Sequence, residues 1–206
     1  MVKSFVQERA VCYNKTETER EDRCFMKKRN TKEIFAETLL ELAEHKTIDK
    51  ITVKQITEGS GLSLQTFYNH FLDKADLVLW IHMSKAEQFL QKLGKNGYTF
   101  GDYLLDNVRF YAEHKAFLRN AFVNTHGQDS YAARSAERGC DMLLGYLRSK
   151  GIPETEEIRF YLRMYAYAAV HMVAEWTFQR KEMPPEVFAK YLEGGMPETL
   201  KKILHD

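Results

Sequence analysis

Only four prolines and eleven glycines interrupt the 206 residues, so little in the chain stops a helix once it has begun. Period-two alternation of apolar and polar residues is scarce, which leaves few candidates for half-buried strands. The three cysteines, Cys12, Cys24 and Cys140, are odd in number and widely spaced, and they form no CxxC pair. Neither a disulfide framework nor a zinc cluster is indicated, and a reducing, cytoplasmic setting fits. The seven histidines show no HxxxH or HExxH spacing, so a metal site is not expected. GxSxG, GxxxxGKS and GxGxxG are all missing, so no nucleophile elbow or nucleotide loop announces an enzyme, and no cofactor is implied. The longest apolar stretch, from about Met164 to Ala174, is broken by His171. It falls short of the roughly 20 residues a bilayer crossing needs, and no signal-peptide run opens the chain; no membrane partner is expected. A net charge of +1 lacks the basic excess of many nucleic-acid binders, so any such reading must come from local pattern.

What is present is an ordinary globular composition, 44% hydrophobic and 29% charged, carried on helical periods. An all-α fold is expected. Residues 1–27 read as a flexible N-terminal arm, because Lys15 to Arg23 offers almost nothing to bury. Met26, followed by Lys27-Lys28-Arg29, reads as an alternative start. From Asn30 the helical period begins, with Ile34, Phe35, Leu39, Leu42 and Ala43 on one face, and it ends near His45-Lys46. Thr52 is placed to cap a second helix, Ser63 a short third and Asp73 a long fourth that runs to about Leu93. Gly59-Ser60-Gly61 marks a tight turn between the second and third. After a loop at 94–101, helices are expected at about 102–113, 115–124, 129–149, 154–181, 185–193 and 197–205.

Two short helices joined by a glycine-containing turn, between Thr52 and Leu77, form a helix-turn-helix pattern. On a helical wheel Leu64, Phe67 and Phe71 share one arc and are expected to pack on the first two helices. Gln65, Thr66 and Asn69 fall on the opposite arc. Gln and Asn pair with adenine edges, and Thr bonds bases or touches a thymine methyl, so this face suits a major groove. Tyr68, His70 and Lys74 sit where phosphates would lie, and Thr52 and Lys54 at the start of the second helix reach the backbone from the other side.

The run Ile51-Thr52-Val53-x-x-Ile56, then Gly61-Leu62-Ser63, then Thr66-Phe67-Tyr68-x-His70-Phe71-x-x-Lys74-x-x-Leu77, resembles the DNA-binding region of the TetR/AcrR family of transcriptional regulators. The resemblance implies that residues 28–76 bind double-stranded DNA and that 77–206 dimerise and sense a signal. It implies a homodimer on a palindromic operator, with contacts from Thr52, Lys54, Leu64, Gln65, Thr66, Tyr68, His70 and Lys74. Family habit favours a repressor. Thr57 stands where the family usually has a small alanine, and Lys46 where it has a helix-ending glycine; neither removes a contact group.

Asp49-Lys50-Ile51-Thr52-Val53 and the later Ala174-Glu175-Trp176 resemble a subgroup that includes activators of dihydroxyacetone-kinase operons. In the family at large this C-terminal region dimerises through a four-helix bundle and often encloses a small-molecule effector, whereas in that subgroup a partner protein brings the signal. Arg109, Phe110, Arg163, Tyr167 and His171 are the candidate effector contacts, though structural roles for each are weighed beside this one. The small and apolar residues of the helix expected at 154–181 need cover on more than one side, which suits a dimer face. A helical enzyme or adaptor with no DNA role is the rival from another class.

Overall fold

The computed structural model describes residues 30–123, 130–179 and 183–204. The chain divides into two units, Met1–Thr31 and Lys32–Asp206, and nearly all the described residues belong to the second. The expected arm 1–27 and Met26 lie outside the described residues. Among the described residues the helices in chain order are α1 (Thr31–Ala43), α2 (Val53–Ser60), α3 (Leu64–Tyr68), α4 (Lys74–Leu90), α5 (Phe100–Glu113), α6 (Lys115–Val123), α7 (Tyr131–Ser149), α8 (Glu156–Phe178), α9 (Pro185–Gly194) and α10 (Glu198–Leu204), with a 3-10 turn at Ile48–Lys50. Among the described residues there is no strand.

Capping fixes where the early helices start. Thr52 accepts a hydrogen bond from the Gln55 amide at 3.2 Å, and Gln55 Oε1 accepts one back from the Thr52 amide at 3.0 Å. This reciprocal pair satisfies two donors that a helix start leaves open. Ser63 caps α3 through the Thr66 amide at 3.0 Å, and Asp73 caps α4 through the Asp76 amide at 2.7 Å. The same device at Thr99, with Asp102 at the third helical position, starts α5 two residues before the expected 102. Helix α1 stops at Ala43, short of His45, and α4 stops at Leu90, although Leu93 beyond it is still buried.

Two apolar clusters hold the helices. One gathers Phe35 and Leu39 of α1, Ile56 of α2, Phe67 of α3 and Leu77 to Ile81 of α4, and continues into Phe117, Leu118 and Ala121 of α6 and Tyr131 of α7. The other joins the far end of α4 at Leu90 to α5, α7, α8, α9 and α10. Helix α4 contributes to both. In the second cluster the Trp176 indole stacks flat on Phe188 at 5.0 Å between ring centres and donates its N–H to the Met183 carbonyl at 3.0 Å, which fastens α9 to α8.

The glycine turn is required at two positions. Gly61 closes α2 in the left-handed region at φ 69°, where a Cβ is strained. At Gly59 a Cβ would lie 2.8 Å from Thr38 Cγ2 of α1, so α2 approaches α1 only because no side chain intervenes. Gly59→Ala and Gly61→Ala should each lower unfolding free energy by about 1–2 kcal/mol, through overpacking and backbone strain respectively. Urea denaturation of the two variants beside the parent chain measures both.

Candidate nucleic-acid interface and internal cavity

Helix α3 is one and a half turns long, and its orientation comes from its inner side. Phe67 is fully buried and Phe71 is 3% exposed. Their rings lie 5.5 Å apart, and Phe67 meets Phe35 of α1 edge-on at 5.3 Å. Leu64 does not join them. It is 50% exposed, a correction to the wheel: one and a half turns seat two aromatic rings and leave the first residue outside the contact.

The other side faces water. Gln65, Tyr68, Asn69 and His70 are exposed, and Thr66 is half-buried. Gln65 Nε2 donates to Asn69 Oδ1 at 2.9 Å, so the two amides brace each other along the face. Thr66 Oγ1 lies 2.8 Å from the Ser63 hydroxyl, which ties it into the cap. The Tyr68 ring leans edge-on against Phe67 at 5.5 Å, and its phenol end projects outward. At the head of α2, Thr52 and Lys54 are exposed, and Lys54 lies 3.8 Å from Glu58 across a solvated turn. Thr57 is buried and bonds the Lys54 carbonyl at 2.9 Å, so the side chain in the alanine position is satisfied within its own helix.

Lys74 stands apart. Its ammonium donates to the carbonyls of Ile48, of Asp49 at 3.3 Å and of Ile51 at 2.6 Å. Partial burial lowers its pKa, and the Asp49 carboxylate opposes that shift. The cation expected at a phosphate is engaged in tying the start of α4 to the turn before α2.

Helix α4 is also tied to α7. Arg138 Nη2 pairs with the buried Asp76 at 3.0 Å, and Arg134 Nη2 approaches Asp73 at 4.0 Å. Farther along, His82 is buried between two phenols. Tyr131 OH lies 3.0 Å from Nδ1, and Tyr111 OH contacts Nε2. Burial pushes the imidazole down from 6.5 to about 3, so it is neutral. A neutral imidazole has one N–H and one bare nitrogen; one phenol therefore donates to it and the other accepts from it.

These three rings wall a small cavity completed by Leu118, Phe122, Ser135, Val170 and Val173, drawn from α4 to α8. It measures about 10 Å³, room for no more than about one water molecule. Among the described residues the Ser135 hydroxyl, 2% exposed, makes no well-formed hydrogen bond, though it lies beside the Tyr131 phenol.

None of the five candidate effector contacts lines this cavity. Arg109 is half exposed and pairs with Glu186 of α9 at 3.0 Å. Phe110 is buried behind His82, its ring parallel at 6.5 Å. Arg163 and Tyr167 come together, both bonding Glu137 Oε1 at 2.7 Å. His171 faces solvent on α8. His82, Tyr131 and Ser135 are wall residues that no pattern in the sequence singled out.

Residues 99–197 match a TetR C-terminal family described as "Transcriptional regulator C-terminal region". Over 95 residues the chain is 27% identical to the HTH-type dhaKLM operon transcriptional activator DhaS of Lactococcus lactis subsp. lactis (strain IL1403), an alignment covering 45% of this chain and 49% of that protein. The chain thus spans about half the length of the curated relative it matches. Among solved structures, a dihydroxyacetone kinase operon activator DhaS shares the fold with a TM-score of 0.54 at 20% identity, over 85% of this chain and 98% of that one. Thermus thermophilus FadR, a TetR family repressor in complex with lauroyl-CoA, shares it with a TM-score of 0.57 at 16% identity, over 79% and 91%.

The buried imidazole makes a pH prediction. Unfolded, His82 takes a proton below about 6.5; folded, it refuses one until about pH 3. Its contribution to stability is complete above 6.5 and is lost as pH falls toward 3, at up to about 1.4 kcal/mol per pH unit. Burial lowers His114 as well, so it adds to the same slope. Unfolding free energy measured at pH 7 and pH 5 should fall less in His82→Gln than in the parent. Equal falls would mean that His82 titrates normally in the native state.

Proposed function

We propose that the chain is a transcriptional regulator of the TetR type and that it binds operator DNA through α2 and α3 as a homodimer. The family is one of regulators, not of enzymes. The observation that carries the reading is the two-sidedness of α3: Phe67 and Phe71 hold it from within, and Gln65, Tyr68, Asn69 and His70 are left outside. In this reading Gln65, Thr66, Asn69 and Leu64 face base edges. Tyr68, His70, Thr52 and Lys54 meet phosphates. Lys74 acts at one remove, by fixing the turn at Ile48–Lys50 against α4. Domain limits of 28–76 for DNA binding and 77–206 for dimerisation and sensing belong to the same proposal, as does a cytoplasmic setting; among the described residues no helix is long and apolar enough to cross a membrane.

Dimerisation is supported by α8. Phe160, Met164 and Met172 are 64%, 46% and 43% exposed, and Ala168 between them is exposed too. Residues four apart form one ridge along a helix, and an apolar ridge left in water is suited to packing against its symmetry mate. Two recognition helices in such a pair would meet half-sites about one helical turn apart on a palindromic operator.

For the signal, two readings stand. A small effector would be neutral, since no charged side chain lines the cavity, and would bring an acceptor for the Ser135 hydroxyl. A partner protein acting on the outer surface is favoured by the size of the cavity, which admits no ligand larger than water without opening. The L. lactis relative is named an operon transcriptional activator, which supports activation over the repression that family habit suggests. In either case the signal acts by stabilising one arrangement of the two α3 helices over another.

Gel shifts with duplexes selected from a genomic library test the proposal. Binding should survive nonspecific competitor and weaken steeply with salt. Tyr68→Phe should weaken all sites alike. Gln65→Ala should change the ranking of sites, with about 1–3 kcal/mol lost per base contact. Met164→Lys should convert the dimer to a monomer in light scattering. Failure to select any duplex, or unchanged site ranking in Gln65→Ala, would reject the assigned reading face.

A further inference from the structure

We propose that Leu64 reads the 5-methyl group of a thymine in each operator half-site. This rests on the DNA-binding reading above and deepens it by naming a base. Leu64 is the first residue of α3, and it is half exposed although its neighbours Phe67 and Phe71 are buried. An isolated surface leucine needs no explanation. Leu64 is not alone in the sequence: Tyr68 at the other end of α3 is 52% exposed, and Leu72, in the connection to α4, is 81% exposed.

The polar groups around it are largely committed. Thr66 Oγ1 is held by the Ser63 hydroxyl at 2.8 Å, and one Gln65 N–H by Asn69 at 2.9 Å. The start of α3 therefore offers DNA the Gln65 side-chain oxygen, the remaining Gln65 N–H, the hydrogen-bonding capacity Thr66 keeps beside its Ser63 contact, and a leucine side chain. Of the groups that base pairs display in the major groove, the thymine methyl is the apolar one; the rest are hydrogen-bond donors and acceptors. A leucine against those polar groups would strip them of water without replacing it, whereas against a methyl it removes apolar surface on both partners.

The test uses the full chain and a random duplex library. Selected duplexes are resynthesised with deoxyuridine replacing thymine one position at a time, which deletes the methyl and keeps the pairing. One thymine per half-site should prove sensitive, with its duplex bound about fourfold more weakly by wild type after the swap, the scale of one buried methyl. Leu64→Ala should bind the thymine and deoxyuridine duplexes within about twofold of each other, and Leu64→Met should restore the difference. Because Leu64 lies outside the core, melting temperatures should match, which separates a contact from a folding defect. Sequence-specific binding by wild type with no deoxyuridine-sensitive position, or sensitivity that persists in Leu64→Ala, overturns the inference and leaves the DNA reading intact. Recovery of no sequence at all overturns both.

Discussion

A five-residue helix has no stability of its own; isolated helices need about 12–15 residues to be even marginally populated in water. Helix α3 exists because Phe67 is driven into the cleft between α1 and α2 and wedged against Phe35 and Phe71. Everything assigned to its outer face depends on that aromatic contact, since burial of one side decides what the other side presents. The Ser63 cap and the Gly61 turn fix where the helix begins, and the aromatic cluster fixes how it is rotated.

The same logic extends outward through α4. Its first residue, Lys74, holds the turn ahead of α2, Asp76 in the same first turn pairs with Arg138 of α7, and its middle carries His82 between Tyr111 and Tyr131. Apolar residues of α4 enter both clusters, Leu77 to Ile81 in one and Leu90 in the other. Ion pairs and hydrogen bonds with named partners thus join α5 and α7 to α4, and α4 to the turn ahead of α2. On the proposed reading this is the physical route between a signal and the grip on DNA, whichever side of the molecule receives it.

Much of the fold was legible in the sequence because it is written locally. The caps at Thr52, Ser63 and Asp73, the breaks at Gly59-Ser60-Gly61 and the 3.6-residue period of α1 each need only neighbouring residues to be read. Leu64 was misjudged for the opposite reason: a wheel assumes a helix long enough to own a face, and α3 ends before that face closes. Lys74 was assigned by its distance along the chain from the reading residues, while its ammonium is claimed by carbonyls 23 to 26 residues earlier. The aromatic segments around Tyr111 and Phe122 suited a pocket wall, but the cavity's other walls, brought in from α4, α7 and α8, had no local signature. Three of the candidate effector contacts are paired with carboxylates: Arg109 with Glu186, and Arg163 and Tyr167 with Glu137.

The central claim is that the wet side of α3 is the surface that meets DNA. Side-chain amide resonances report it directly, because Gln65 and Asn69 carry NH2 groups on that face and are hydrogen-bonded to each other in the free protein. Addition of a selected duplex to labelled protein should shift the Gln65 and Asn69 side-chain signals and slow their exchange with water, with the Gln55 side chain, held in the α2 capping box, moving less. Tight, sequence-specific binding that leaves the Gln65 and Asn69 signals where they were would contradict the account.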